Sequence, residues 1–156
     1  MNIRRASEKD IDSLIKLLQE VLEIHANIRP DIFISGTTKY TRSELIEKLA
    51  NDEEPIYVAV DENDDVMGYA FCALRNQPFS TNMVPFKSLY IDDLCVDSNY
   101  RGQHIGEQLF EYVKAEAKRL GCYEITLAVW AGNDGAERFY DRIGFKTKER
   151  IMEYIL

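Results

Sequence analysis

Apolar residues at Ile11, Leu14, Ile15, Leu17, Leu18, Val21 and Leu22 recur with the spacing of a single helical face, so residues 8–25 should form an amphipathic helix. Ser7 followed by Asp10 is a near capping box at its start, and Asn2–Ala6 before it has the character of a short strand. The stretch Ala26–Tyr40, with Pro30 and Gly36, follows neither period and is expected to be irregular. Thr41 and Glu44 form a capping box for a second, shorter helix that ends before Pro55. The period then changes to that of strands: Ile56–Val60, an acidic turn at Asp61–Asp65, and Val66–Leu74 make a β-hairpin. A polar loop holding Pro78 and Pro85 leads into Ser88–Val96, a strand with two adjacent aspartates set into it. Residues 103–120 carry Ile105, Leu109, Val113 and Leu120 on one stripe, with Gly121 as the helix stop. Glu124–Trp130 is again a strand, Asp134–Ile143 a helix, and Phe145–Ile155 a closing strand or pair of strands. The order β-α-α-β-β-β-α-β-α-β predicts an α/β (α+β) architecture, a mixed sheet with helices on both faces.

At 156 residues the chain has room for one domain, 1–156, large enough to bury a core without disulfide or metal staples. No apolar run approaches the roughly 18–20 residues of a membrane span. Met1 is followed by Asn2–Glu8 without the apolar stretch of a signal peptide, so the expected location is cytoplasmic. Twenty-seven acidic against nineteen basic residues give a net charge of −8, which disfavours nucleic acid and anionic membrane as partners and leaves small cationic molecules open. Cys72, Cys95 and Cys122 are widely spaced among apolar neighbours, with no CxxC and no clustered His, so they are expected as reduced thiols and no metal site is expected.

The richest stretch is Leu94-Cys95-Val96-Asp97-Ser98-Asn99-Tyr100-Arg101-Gly102-Gln103-His104-Ile105-Gly106, where a strand runs through a polar loop into a helix. Such a junction offers free backbone N–H groups at the positive end of a helix dipole, a site for phosphate or pyrophosphate. Equally, Gly102 and Gly106 can do no more than shape a tight turn into the helix. The Walker and dinucleotide fingerprints both fail here on spacing and residue type.

The pattern Val96-x-x-x-Tyr100-Arg101-Gly102-x-x-Ile105-Gly106 resembles the acetyl-CoA pyrophosphate loop of the GNAT acetyltransferase superfamily. Two further stretches at the right separations are similar to that family's ending: Asn133-x-x-Ala136, and Phe139-Tyr140-Asp141-Arg142-Ile143-Gly144-Phe145. The resemblance implies a mostly antiparallel sheet of six to seven strands and acetyl-CoA as co-substrate. It further implies that backbone amides of Gly102, Gln103, His104, Ile105, Gly106 and Glu107 hold the pyrophosphate, with Arg101 adding charge. Leu94 and Val96 would pair through their main chain with the pantetheine arm in a gap before Glu124–Trp130, the Val96 N–H facing the thioester oxygen. Asn133, with Ala136 beside it, would bond the arm. Tyr140 would be the general acid for the leaving thiolate, a phenol within about 2 pKa units of a thiol. His104 stands where the family usually has a second glycine, and is a solvent-facing helix residue, a neighbour of the phosphates or a catalytic group.

On the acceptor side, a protonated amine must lose a proton before it attacks, so a base should reach the site. Strict alternation sends Asp92 and Asp93 to opposite faces, with Asp92 sharing the side of Leu94, Val96 and Tyr90. The strand Leu89–Val96 is also similar to that of the spermidine/spermine acetyltransferases, whose Glu-Asp pair falls on Asp92-Asp93 and whose first member is the proposed base. The alternative leaves both aspartates only capping loops or binding backbone N–H groups. His25 and Phe33 lie in or beside the irregular segment expected to cover the acceptor groove in this fold, with His25 either a helix-end residue satisfying terminal carbonyls or an acceptor contact, and Trp130 is expected as core or groove wall. The expected activity is transfer of acetyl to a primary amine, a small cationic amine or polyamine first. Peptide N-termini or lysines, aminoglycosides, and a non-catalytic acyl-CoA sensor are the alternatives. Homodimers are common in families of this fold, so by analogy a homodimer is expected.

Overall fold

The computed structural model describes residues 1–76 and 80–156; Pro78 of the expected polar loop lies outside the described residues. Five strands form one sheet in chain order: β1 (Asn2–Arg5), β2 (Ile56–Val60), β3 (Val66–Asn76), β4 (Lys87–Val96) and β5 (Glu124–Leu127). Every neighbouring pair is antiparallel except β4–β5, which is parallel. The helices are α1 (Ile11–Ile28), α2 (Arg42–Leu49), α3 (Ile105–Arg119) and α4 (Asp134–Arg142).

Alternation along the strands sorts the core into two layers. Val58, Tyr69 and Phe71 face the apolar stripe of α1 and Leu45 of α2, whereas Ala59, Ala70, Cys72, Leu89 and Ile91 face Ile105, Leu109 and Val113 of α3. The helix starts follow the sequence: Asp10 accepts from the Ser7 N–H at 2.8 Å, and the Thr41 hydroxyl accepts from the Glu44 N–H at 3.2 Å.

The strand count is lower than expected. Among the described residues the sheet holds five strands rather than six to seven, and Phe145–Ile155 is not one of them. The apolar residues of that segment have a strand-like alternation, but alternation makes a strand only where a ladder partner accepts it, and none pairs with it here. β5 also stops at Leu127, short of Trp130. Close to the site, β3 and β4 approach so tightly at Gly68 that a Cβ there would lie 2.7 Å from the Cys95 carbonyl oxygen.

Candidate active site

The site is made by an irregularity in β4. Register with β3 runs Leu89↔Leu74, Tyr90↔Ala73, Ile91↔Cys72, then jumps to Asp93↔Phe71 and Leu94↔Ala70, so Asp92 is the extra residue of a β-bulge. The β4–β5 ladder ends at the same place, with Ile91↔Leu127 its last pair. Beyond it the two parallel strands part. Asp97 donates its N–H to the Met67 carbonyl at 2.8 Å, which fixes the ladder's phase: the main-chain groups of Cys95 and Asp93 point to β3, and those of Leu94 and Val96 point into the gap.

The bulge corrects the expected parity. Asp93, opposite Phe71, lies on the α1–α2 side of the sheet, and so does Asp92, which accepts a hydrogen bond from the Tyr40 hydroxyl and pairs with Lys39 at 3.0 Å. Leu94 and Val96 pack toward α3. Asp92 therefore does not share their face, and the two aspartates do not point apart. Tyr90 shares the α1–α2 side but lies upstream of the gap, opposite Thr126, with the Arg75 guanidinium 3.6 Å from its ring centroid. Asp92 instead borders a cavity of about 180 Å³ lined also by Tyr40, Lys48, Glu54 and Arg75. Lysine and arginine side chains surround its charge.

Asp93 is the carboxylate at the gap. It accepts from the buried Tyr69 hydroxyl at 2.8 Å. Burial pushes its carboxyl up to about 6, against the opposing pull of the Tyr69 hydroxyl, the Lys39 ammonium and the Leu94 amide. Tyr140 projects from α4 into the same region, packed on Phe139 and Phe145, and Phe145 in turn meets Phe110 of α3. Burial, then Asp93, then Cys95 hold the Tyr140 phenol above its ordinary value. The small gap expected between phenol and thiol is thus widened: Tyr140 keeps its proton firmly while Asp93 is ionised. Cys95 lies on the same face as Asp93, opposite Tyr69, yet burial and the Asp93 charge push its thiol to about 12, so it is no nucleophile at neutral pH.

The loop between β4 and α3 is braced from both sides. Buried Asp97 accepts from the Asn99 N–H at 2.8 Å and pairs with Lys16 of α1 at 3.1 Å. Arg101 is exposed next to Gly102, whose φ of +80° requires the left-handed region. His104 adopts that region as well, with φ of +59°, and is the N-cap of α3 without a side-chain cap, so the first-turn amides of the helix keep their donors free. Its ring is turned out toward Glu107, at 3.3 Å, which is the solvent-facing placement. Gln103 is exposed, Ile105 is buried under the helix, and a Cβ at Gly106 would meet the Phe139 ring at 3.1 Å, so that glycine lets α4 pack on α3. Asn133 is the N-cap of α4 and accepts from the Ala136 N–H at 3.4 Å, a long bond that leaves its amide N–H₂ group to donate elsewhere.

The segment expected on the acceptor side carries packed aromatic rings. Phe33 meets His25 and Trp130 with centroids 5.2 Å apart in each pair. Burial and Lys39 lower the His25 pKa, which favours the neutral ring. The structure thus brings Tyr140, Asp93, Leu94 and Val96 together and sets Asp92 and Tyr90 apart from them. Sequence reasoning missed Tyr69, Tyr40 and Lys39. The bulge itself left a trace, because the core-facing residues run Leu89, Ile91, then Leu94, Val96, a step of three inside a period of two.

A family model described as Acetyltransferase (GNAT) family matches residues 18–145. Among solved structures, a mutant of the BH1408 protein from Bacillus halodurans is 32% identical, covers 100% of this chain and 99% of its own, and superposes with a TM-score of 0.95. The thialysine N-epsilon-acetyltransferase of Bos taurus is 27% identical over 151 residues, 91% of this chain and 82% of its own length. A peptidyl-lysine N-acetyltransferase of Salmonella typhimurium, YjaB, is 27% identical over 150 residues, covering 96% and 86% respectively.

Proposed function

The chain belongs to the GNAT acetyltransferase family and is an acetyl-CoA-dependent N-acetyltransferase; from that premise we propose that it acetylates the primary amine of a small cationic acceptor, polyamines included, by direct attack in a ternary complex. Acetyl-CoA supplies the acyl thioester. The observation that carries this reading is the bulge at Asp92, which ends the β4–β5 ladder and parts the two strands beside Asp93, whose charge reaches the Tyr140 phenol.

The chain's own groups divide the work as follows. The uncapped first turn of α3, with Gly102 to Glu107 and the exposed Arg101, binds the pyrophosphate through main-chain donors. Leu94 and Val96 offer the pantetheine arm an unpaired main-chain edge, and Asn133 has donors left to join them. The Val96 N–H is aimed to donate to the thioester oxygen. Asp93 takes the proton from the attacking amine and Tyr140 gives one to the departing thiolate. A base near 6 suits the first step at neutral pH. The two groups are coupled: once Asp93 accepts a proton its charge vanishes, and a large electrostatic reason for the high Tyr140 pKa vanishes with it. The acid is sharpened by the act of the base.

Asp92 is a weaker candidate for the base than Asp93, since Tyr40 and Lys39 already engage it and it lies on the cavity side. It serves better as an anchor for the far end of a polyamine or diamine that displaces Lys39. The aromatic wall of Phe33, Trp130 and His25 supports an acceptor with an aliphatic or cationic stem. Lysine side chains are the second reading, favoured by the relatives named for thialysine and peptidyl-lysine. Acetyl transfer over polyamines, free lysine analogues, aminoglycosides and lysine peptides, read as mass gained by the acceptor, tests both. Polyamine or diamine products with no peptide product are expected; acetylated peptide alone overturns the small-amine reading, and no product with any amine overturns the transferase reading of the site.

A further inference from the structure

Tyr69 lies inside β3, paired with Val58 on one side and Cys95 on the other, and none of its surface is exposed. It belongs to the core layer that contains Leu14, Leu17 and Leu18 of α1 and Leu45 of α2, and among the buried described residues of that layer it alone carries a hydroxyl. A phenol in such a place costs free energy unless it is hydrogen-bonded, and phenylalanine would fill the same space without that cost. The core therefore supplies no reason for the hydroxyl. Its partner supplies one: the Tyr69 hydroxyl donates to Oδ2 of Asp93 at 2.8 Å.

The donor is held as firmly as the strand that carries it. Phe71 meets the Tyr69 ring edge-on with centroids 4.9 Å apart, and its other neighbour is the Tyr40 ring, whose hydroxyl goes to Asp92. Burial, then the Asp93 charge, keep the proton on Tyr69 well above the ordinary phenol range, so the bond runs one way, from phenol to carboxylate. The two oxygens of Asp93 are thereby made unequal. Oδ2 is occupied by the phenol, whereas among the described residues no side chain donates to Oδ1.

We propose that Tyr69 is a positioning residue for acetyl transfer: by holding Oδ2 it fixes the rotation of the Asp93 carboxylate and leaves Oδ1 as the oxygen that takes the proton of the attacking amine. This rests on Asp93 as the base, as assigned above. A base works only within hydrogen-bond reach of the proton it takes, and a misplacement of about 1 Å can cost about 10²-fold in rate. The other charged and titratable groups around Asp93 do not fix an oxygen. Lys39 and Asp92 act on it through charge, with opposite signs, and Tyr140 and Cys95 are themselves raised by its charge.

Two variants test this. Tyr69→Phe removes the donor and keeps the ring, while Tyr69→3-fluorotyrosine makes the phenol a stronger donor at nearly the same volume. In each, the Asp93 carboxyl is titrated by carbon-13 NMR without acetyl-CoA, and kcat and kcat/KM are followed across pH with spermidine as acceptor. For Tyr69→Phe, the carboxyl titration and the acid limb of kcat/KM should both move to higher pH by about 1–2 pH units, the size of one hydrogen bond to a charged group. On the alkaline plateau its kcat should fall by about tenfold or more. For Tyr69→3-fluorotyrosine, both titrations should move to lower pH, and this variant carries the test if Tyr69→Phe does not fold. A carboxyl titration that stays in place, or moves the opposite way, overturns the inference, and so does a Tyr69→Phe plateau equal to that of the unsubstituted chain. A carboxyl titration that moves while the acid limb stays fixed removes Asp93 as the base and the inference with it, an outcome the NMR titration tells apart from a broken link between Tyr69 and Asp93.

Discussion

Replacing Asp93 with Asn should make the protein more stable and less active, and the gain in stability should appear only as pH rises. The Asp93 carboxyl sits at about 6 where its ordinary value is 3.8. At 1.36 kcal/mol per pKa unit that elevation is worth about 3 kcal/mol, reduced to about 2 for a carboxyl that keeps some contact with solvent. Below 3.8 both folded and unfolded chains hold the proton and the group contributes nothing. Between 3.8 and 6 the unfolded chain releases it while the folded chain retains it, so stability falls as pH rises; above 6 the loss is complete. Asparagine has no charge to bury, and its amide oxygen can still accept from the Tyr69 hydroxyl. Urea unfolding of both proteins should therefore give nearly equal free energies at about pH 4 and a variant more stable by about 2 kcal/mol at about pH 8. In thermal scans that is roughly 4–8 °C for a chain of this size. Turnover at about pH 8 should fall by roughly 10²–10⁴, the contribution of a positioned base. A stability difference that does not grow with pH, or a variant destabilised at about pH 8, refutes the assignment of a buried, destabilising carboxylate to this position.

Tyr140→Phe should lower kcat by roughly 10²–10⁴ while acetyl-CoA affinity stays within about threefold, because the phenol is placed to give a proton and not to hold the cofactor; steady-state kinetics with isothermal titration separates the two. His104→Gly should stabilise the chain by about 0.5–1 kcal/mol, since a left-handed L-residue costs about 1–2 and glycine's extra unfolded-state freedom returns part of it; chemical unfolding measures this. Acetyl-CoA at about 100 times its Kd should add about 2.7 kcal/mol to the folded state, and a thermal midpoint that does not move removes the assignment of the α3 loop as its binding site.

The elements whose signal is local were legible in the sequence. α1 announced itself through one apolar face, α2 through Thr41 and Glu44, and the hairpin of β2 and β3 through its acidic turn. What failed was inference across distance. Residues 145–155 have strand character, but whether a strand joins a sheet depends on what lies beside it. Asp92 was given the face of Leu94 by counting in twos, and a bulge is a break in that count. The partners of the two aspartates, Tyr69 from β3 and Lys39 and Tyr40 from the irregular segment, come from parts of the chain that no motif spans. The turn into α3 was the opposite case, since Arg101, Gly102 and the helix start lie within a few residues of one another.

The bulge in β4 divides one strand into two with different obligations. Residues before Asp92 have neighbours on both sides, so their alternation is policed by the sheet; residues after it have only β3, and their other edge is at liberty to meet a ligand. The extra residue thus acts as an adjustable stop. Moving it two positions along β4 would keep every side chain on its present face yet shift the apex of the opening by about 6–7 Å. That is roughly the reach of a lysine side chain. A single insertion paired with a single deletion nearby would therefore move the opening along the strand while leaving the faces of the flanking residues as they are.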